Sequence, residues 1–300
     1  MTLSILWRSE GRLHLASDSR ISFRGAGSAD VGVKVMRLPI RVLGTDIDDG
    51  GGPRVLFEQT YGFCYAGSLA NAATFKEFIG DLLIGVQYLP ADEPLSFEKL
   101  CNFLCRFCGR ISTEIVSRLA ENGQYTFFIA GLCPQTTRLR GARFHLEQNA
   151  GETLVTFEEV ARDEGEYVAV GSGEREFEAL FAGQFATMCK VLLTLNQVID
   201  EGKVDSVGGD IQYGSFGKDG NFSVSGLVRI SVEDVIDEDK LYGPSEQRVW
   251  KYRGFDLYAD WENLDEKFWP SPMFIKLEVP SNKESEQRFI DQCRKQISGS

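Results

Sequence analysis

Histidine is nearly absent from this chain. His14 and His145 are the two in 300 residues, which leaves Ser-His-Asp relays, Cys-His pairs and poly-histidine zinc sites few residues to work with. Positive charge is also short. Lys and Arg number 32 against 44 Asp and Glu, a formal net charge of −12. Such a surface repels phosphate backbones, so nucleic acid is not an expected partner. No apolar run reaches the ~18 residues of a membrane-spanning helix, and no membrane association is expected. Met1 to Glu10 alternates polar with apolar and carries Arg8. It lacks the basic start and apolar block of a secretory leader. The seven cysteines are odd in number; with no leader expected, the expected compartment is the reducing cytoplasm, with the thiols free. What remains is an ordinary globular balance, 43% hydrophobic and 25% charged, in a chain long enough to bury a full core in one or two domains.

Thr2 to Trp7 and Arg12 to Ser17 alternate around Glu10-Gly11, which predicts two strands and a tight turn. Asp18-Ser19-Arg20 closes the second strand. A strand-like run covers Lys34 to Leu43, a loop is expected from Gly44 to Pro53, and strand composition returns over Val55 to Ala66. Helical spacing begins at Ser68 and again from about Ser96 to Leu119. Strands are expected at Tyr125 to Leu132, Arg138 to Leu146 and Glu166 to Val170. Helices are expected after Gly171-Ser172-Gly173 and over roughly Phe185 to Ile199, and strands at Asp210 to Phe216 and Asn221 to Val228. Strands and helices come in blocks. That argues against a doubly wound parallel sheet and for an α+β, four-layer αββα sandwich. Residues 1–230 are expected to form this domain. Residues 231–300, rich in Asp, Glu, Trp and Pro, read as a C-terminal extension.

Three polar residues stand out among the first strands: Thr2, Asp18 and Lys34, each sixteen from the next. Threonine after an initiator Met is small enough for Met1 to be removed. The residue bearing the hydroxyl would then bear a free α-amine, with a pKa of roughly 7.7–8.0. Such an amine takes the proton from its own side chain, directly or through a water, and no histidine is needed. A lysine at its usual pKa of about 10.4 is a poor base but a good fixed charge beside an alkoxide. Held in a pocket it needs a counter-ion, which Asp18 would supply.

These residues resemble the proteasome β-subunit family, which includes the peptidase of the bacterial two-component ATP-dependent protease and the ancestral β-subunit proteins. The match runs over about residues 2 to 230. Thr2 opens the chain, Asp18-Ser19-Arg20 stands where the family has D-S-R, and Lys34 follows. Ala66-Gly67-Ser68-Leu69-Ala70-Asn71 resembles the family's sheet-to-helix turn, and Gly171-Ser172-Gly173 its later G-S-G. The resemblance implies a threonine peptidase in which Thr2 is the nucleophile, Lys34 and Asp18 assist, Gly67 N–H binds the oxyanion and Ser172 supports the amine. It places Arg20, Ser68 and Leu69 at the substrate pocket, which Leu69 would shorten toward small or medium side chains. Asp205-Ser206-Val207-Gly208-Gly209 resembles the Asp and Ser ahead of the family's Gly-Gly, one residue out of register, and makes Asp205 and Ser206 candidate supports. No cofactor or metal is implied. A homo-oligomeric ring or spiral is implied, fed by an ATP-driven unfoldase with peptide or unfolded protein.

Two other classes compete. A catalytically inactive shell subunit has the same fold without the turnover. Cys101, Cys105 and Cys108 have the spacing by which radical S-adenosylmethionine enzymes hold a four-iron cluster. The same cysteines also fall on one helical face with Phe97, Leu100, Leu104 and Ile111, which reads as buried core.

Overall fold

A two-residue hairpin organises the N-terminal end of the chain. β1 (Leu3–Ser9) and β2 (Arg12–Asp18) pair antiparallel, with Ser4 opposite Ser17. Glu10 and Gly11 between them sit at φ 54° and 69°, the doubly positive turn that suits the twist of such hairpins. The computed structural model describes residues 2–23, 27–47, 51–88, 95–149, 152–231, 250–256 and 272–279.

Further along are a small hairpin, β3 (Ile21–Phe23) and β4 (Gly27–Ala29), then β5 (Val35–Ile47), β6 (Pro53–Gly67), α1 (Leu69–Leu83), β7 (Val86–Gln87) and α2 (Phe97–Leu119). Next are β8 (Tyr125–Leu132), β9 (Leu139–Asn149), β10 (Glu152–Val160), β11 (Tyr167–Gly171), α3 (Glu174–Phe181) and α4 (Met188–Glu201). Last among the described residues are β12 (Ile211–Phe216), β13 (Phe222–Ser231), β14 (Trp250–Tyr252), β15 (Phe255–Asp256) and β16 (Phe274–Val279). One sheet has the order β11-β1-β2-β12-β13-β14-β15, with β16 parallel on β13; the other runs β10-β9-β8-β6-β5-β7. The chain is therefore of the α+β class, with mixed sheets and helices.

Alternation along the strands builds three cores. Leu3, Ile5 and Trp7 of β1 join Phe177 and Phe181 of α3 and Val191, Leu192 and Leu195 of α4. Tyr61, Phe63 and Tyr65 of β6 and Phe127 and Ile129 of β8 face Phe75 and Ile79 of α1 and Leu100 and Leu104 of α2. The opposite faces, Leu6, Leu13 and Leu15 from one sheet and Cys64, Ala66, Phe128 and Ala130 from the other, meet in the third core. Each leucine, isoleucine or phenylalanine among them contributes about 1.5–3 kcal/mol on leaving water, which fixes the register and so which residues face the gap between sheets. At Gly62 the sheets approach so closely that a Cβ would stand 2.7 Å from Leu15.

The helix starts follow the capping chemistry. Ser68, Ser96 and Thr187 each accept a hydrogen bond from the backbone N–H three residues on. Thr187 sets the start of α4 at Met188, later than the expected Phe185. Two further expectations change. Gly44 to Ile47 continue β5, because register shifts after Val42 and Leu43 absorb the irregular residues without ending the ladder. β10 was not expected: its outward residues Glu152, Leu154, Thr156 and Glu158 dilute an inner face of Thr153, Val155 and Phe157. The last expected strands begin one residue later than predicted, and β13 runs on to Ser231. Strands β14, β15 and β16, which fall within residues 231–300, join the first sheet. Among the described residues no helix is long and apolar enough to cross a membrane.

Candidate active site

The hairpin register brings Asp18 opposite Leu3, beside Thr2. The Leu3 N–H donates to Asp18 Oδ1 at 2.9 Å. Lys34 precedes β5 in the other sheet, so its side chain reaches across the gap between the two sheets. Its Nζ donates to Asp18 Oδ1 at 2.9 Å and to Thr2 Oγ1. Thr2, Asp18 and Lys34 are all buried, with 2%, 0% and 2% exposure.

Every oxygen of the Asp18 carboxylate is engaged. Oδ1 takes Leu3 N–H and Lys34; Oδ2 accepts the N–H groups of Arg20 and Gly208, both at 3.1 Å. This is the condition under which a buried ion pair persists: geometry and hydrogen bonds offset the loss of water. Burial pushes the Lys34 ammonium below its usual pKa, and the Asp18 carboxylate opposes that shift. An ammonium so placed lowers the cost of an alkoxide on the threonine it touches.

A further residue holds this lysine. Gln212 on β12 is fully buried. Its Oε1 accepts the N–H groups of Lys34 and Val35, at 2.9 and 3.1 Å, and its Nε2 donates to the Gly32 carbonyl. The segment from Lys34 into β5 is thus pinned to the opposite sheet. Nothing in the local sequence marks Gln212, since its partners lie about 180 residues away.

Ser4 and Gly171 lie beside the Thr2 end of β1. Ser4 Oγ donates to the Tyr65 carbonyl at 2.7 Å, tying β1 to β6. Gly171 lies against both Thr2 and Ala66, which brings Gly67, the next residue after Ala66, to this end. Gly67 has φ 121°, and a Cβ on it would stand 2.6 Å from the Gln124 carbonyl oxygen; only glycine fits this turn into α1. Ser172, next after Gly171, has its Oγ 2.6 Å from Ser206 Oγ, so the residues before α3 and after α4 meet.

No protein-family model matches the chain, and no curated protein matches its sequence. Among solved structures, Anbu (ancestral β-subunit) from Yersinia bercovieri aligns with a TM-score of 0.50, covering 71% of this chain and 81% of that one at 16% identity. The chain has the ancestral β-subunit fold. Two other Anbu structures align at lower scores. The Gly-1 mutant from Hyphomicrobium sp. strain MC1 has a TM-score of 0.48 at 16% identity, covering 75% and 85% of the two chains. The protein from Pseudomonas aeruginosa, solved as a helical assembly, has 0.49 at 15% identity, covering 70% and 79%.

Within this Anbu-like fold the other expected residues have definite places. Arg20 forms a two-pronged ion pair with Asp30, at 2.7 and 3.0 Å, and donates to the carbonyls of Asp205 and Val207. Asp205 therefore meets Arg20 through its backbone carbonyl. Ser68 caps α1, and Leu69 packs partly buried against the α1–α2 core. Two open clefts, of about 650 and 670 Å3, lie elsewhere: one runs from Val160 to Phe185, the other is lined by Arg8, Arg12 and Lys218.

The cysteine reading meets an unsuitable environment. Cys101, Cys105 and Cys108 lie along α2, packed in or against the helix core. Burial raises all three thiol pKa values, Cys105 to about 12 and Cys108 to about 11. Cluster iron is held by thiolates; thiols this resistant to ionisation behave as small apolar side chains. Among the described residues no group of three or more His, Cys, Asp or Glu side chains converges on a metal position.

Proposed function

We propose that this chain is a threonine-type peptidase subunit of a proteasome-like assembly, an N-terminal-nucleophile hydrolase with Thr2 as its nucleophile. The two facing sheets and their outer helices are then the αββα sandwich of residues 1–230, and residues 231–300 are its extension. One observation carries the reading: a buried lysine bridges the hydroxyl of the second residue in the chain and a fully engaged carboxylate. A surface lysine or an ordinary core threonine has no reason to be so placed.

The mechanism follows from these atoms once Met1 has been removed. The neutral Thr2 amine accepts the Oγ1 proton as Oγ1 bonds to the substrate carbonyl carbon. The carbonyl π pair moves to oxygen, and the Gly67 N–H donates to that oxyanion. Lys34 supplies positive charge, Asp18 holds Lys34 in place, and Ser172 with Ser206 supports the amine. The C–N bond then breaks, and the leaving amine takes the proton from the Thr2 ammonium. Water, activated by the same amine, cleaves the resulting ester and restores the hydroxyl.

Arg20, Ser68 and Leu69 border the substrate pocket in this reading, with Leu69 limiting its depth. Assembly into a homo-oligomeric ring or spiral is supported by the exposed Phe78, Leu82 and Ile84 at the outer helix α1 and its end. An ATP-driven unfoldase in the cytoplasm would feed it unfolded chains. Intact mass and peptide hydrolysis test the proposal together. Loss of Met1 with activity abolished by Thr2→Ala is expected; retained Met1, or full activity in Thr2→Ala, overturns it.

A further inference from the structure

The turn that carries Asp18 is gripped from the far end of the chain. Ser19, fully buried, donates from Oγ to the Asp30 carbonyl at 2.7 Å and accepts the Asp210 N–H at 2.8 Å. Its own carbonyl accepts the Gly32 N–H at 2.8 Å, and its N–H donates to the Gly208 carbonyl. Two glycines close around this side chain. One is Gly209, where a Cβ would stand 2.3 Å from Ser19 Oγ. The other is Gly254, in the turn between β14 and β15, where a Cβ would stand 2.7 Å from both Ser19 Cβ and Ser19 Oγ.

The same hairpin has a second attachment. Lys251 on β14 pairs with Asp210 at 2.9 Å, and Asp210 is the residue whose N–H holds Ser19. Tyr252 packs against the core between the sheets. Arg253 and Gly254 have φ values of 54° and 84°, a doubly positive turn that tightens the tip against Ser19. Gly254 is therefore required twice, by its conformation and by the space it leaves.

We infer that the β14–β15 hairpin is a positioning element of the active site, with Gly254 and Lys251 holding the Asp18-Ser19-Arg20 turn so that the Asp18 carboxylate meets Lys34. The inference rests on the peptidase reading above and gives the C-terminal extension a role in it. The contact acts through Ser19 and does not reach substrate. Displacing the turn moves a carboxylate whose partners are all placed within hydrogen-bond distance.

The test uses the full chain, with Gly254→Ala and Lys251→Met. Covalent labelling by a peptide epoxyketone gives the inactivation rate kinact and the affinity KI separately. Hydrogen exchange reports the Ser19, Arg20 and Gly32 amides, with β8 amides as the internal control. For Gly254→Ala the expected result is a fall in kinact of about tenfold or more with KI within about twofold, the pattern of a misplaced catalytic group. Exchange at the three amides should rise while β8 stays protected; Lys251→Met should shift both readings the same way by less. Wild-type kinact and wild-type exchange in the variants overturn the inference. If Gly254→Ala does not fold, Lys251→Met decides by the same readings. A wild-type enzyme that takes no label overturns the peptidase reading instead, and exchange still decides whether the hairpin holds the turn.

Discussion

Gly171 lies directly against Thr2: a Cβ on Gly171 would stand 1.9 Å from the Thr2 carbonyl oxygen. Its φ of 110° is also one that side chains avoid. The end of β11 thus sets the position of the residue that carries the hydroxyl, since Leu3 pairs with Gly171 in the ladder. Gly171→Ala should push Thr2 away from Lys34 and abolish peptide hydrolysis. The β1–β2 hairpin should keep its native hydrogen-exchange protection. Hydrolysis at the wild-type rate would show that Thr2 tolerates displacement, against the geometry proposed.

The Lys34–Asp18 pair makes a different prediction. Asp18→Asn keeps the size of the side chain and removes the counter-charge from a buried ammonium. Breaking a buried pair on one side costs about 3–5 kcal/mol, so the urea midpoint should fall. Burial then lowers the Lys34 pKa with its main opposition gone, and the alkaline limb of the rate profile should move to lower pH. Lys34→Ala should abolish turnover altogether. An unmoved alkaline limb in Asp18→Asn, or near-wild-type rates in Lys34→Ala, would remove Lys34 as the charge beside Thr2.

Gln212 gives a prediction about position without charge. Gln212→Leu leaves the Lys34 and Val35 N–H groups and the Gly32 carbonyl without their partner, at a cost of roughly 1–3 kcal/mol for each buried group. Stability should fall, and kcat should fall more than KM rises, because Lys34 loses its anchor and the substrate pocket does not. Equal changes in kcat and KM would argue that Gln212 serves general packing alone.

His14 sets a pH window for stability. It is buried, stacked on Trp7 at 5.0 Å and bonded to Tyr213 and the Ser9 carbonyl, and burial lowers its pKa from 6.5 to about 4. The folded chain therefore binds this proton less readily than the unfolded one. The associated stability is present above pH 6.5 and is lost as pH falls toward 4, amounting to roughly 2 kcal/mol between pH 7 and pH 5. Urea unfolding across that range should show the fall in the wild type and a flatter dependence in His14→Phe. Equal slopes would mean that His14 titrates normally.

Local pattern and long-range pairing divide what could be read in advance. Alternation around Glu10-Gly11 announced the first hairpin, and helical spacing after Ser68 and Ser96 announced α1 and α2, because both signals lie within a few residues. The convergence of Thr2, Asp18 and Lys34 came from spacing and family resemblance, and the hairpin register explains half of it: two antiparallel strands around a two-residue turn place residue 18 opposite residue 3. Gln212 and Gly254 carried no such signal. Each acts on a partner about 180 or more residues away, through a sheet order that local periodicity does not encode. The extension of β5 through Gly44 to Ile47 was hidden for the opposite reason, since glycine and aspartate there mimic a loop while the ladder continues past its bulges.

In the proposed mechanism Thr2 acts through its own hydroxyl and amine, and a peptide epoxyketone tests both at once. The reagent's ketone takes Thr2 Oγ1 and its epoxide is opened by the Thr2 amine, so a closed ring forms only on a residue bearing both groups. Peptide mapping by mass spectrometry should find the intact reagent mass added once, on an N-terminal peptide beginning at Thr2, and none in Thr2→Ala. A chain that retains Met1 and takes no label, or a label found on another residue, would contradict the account.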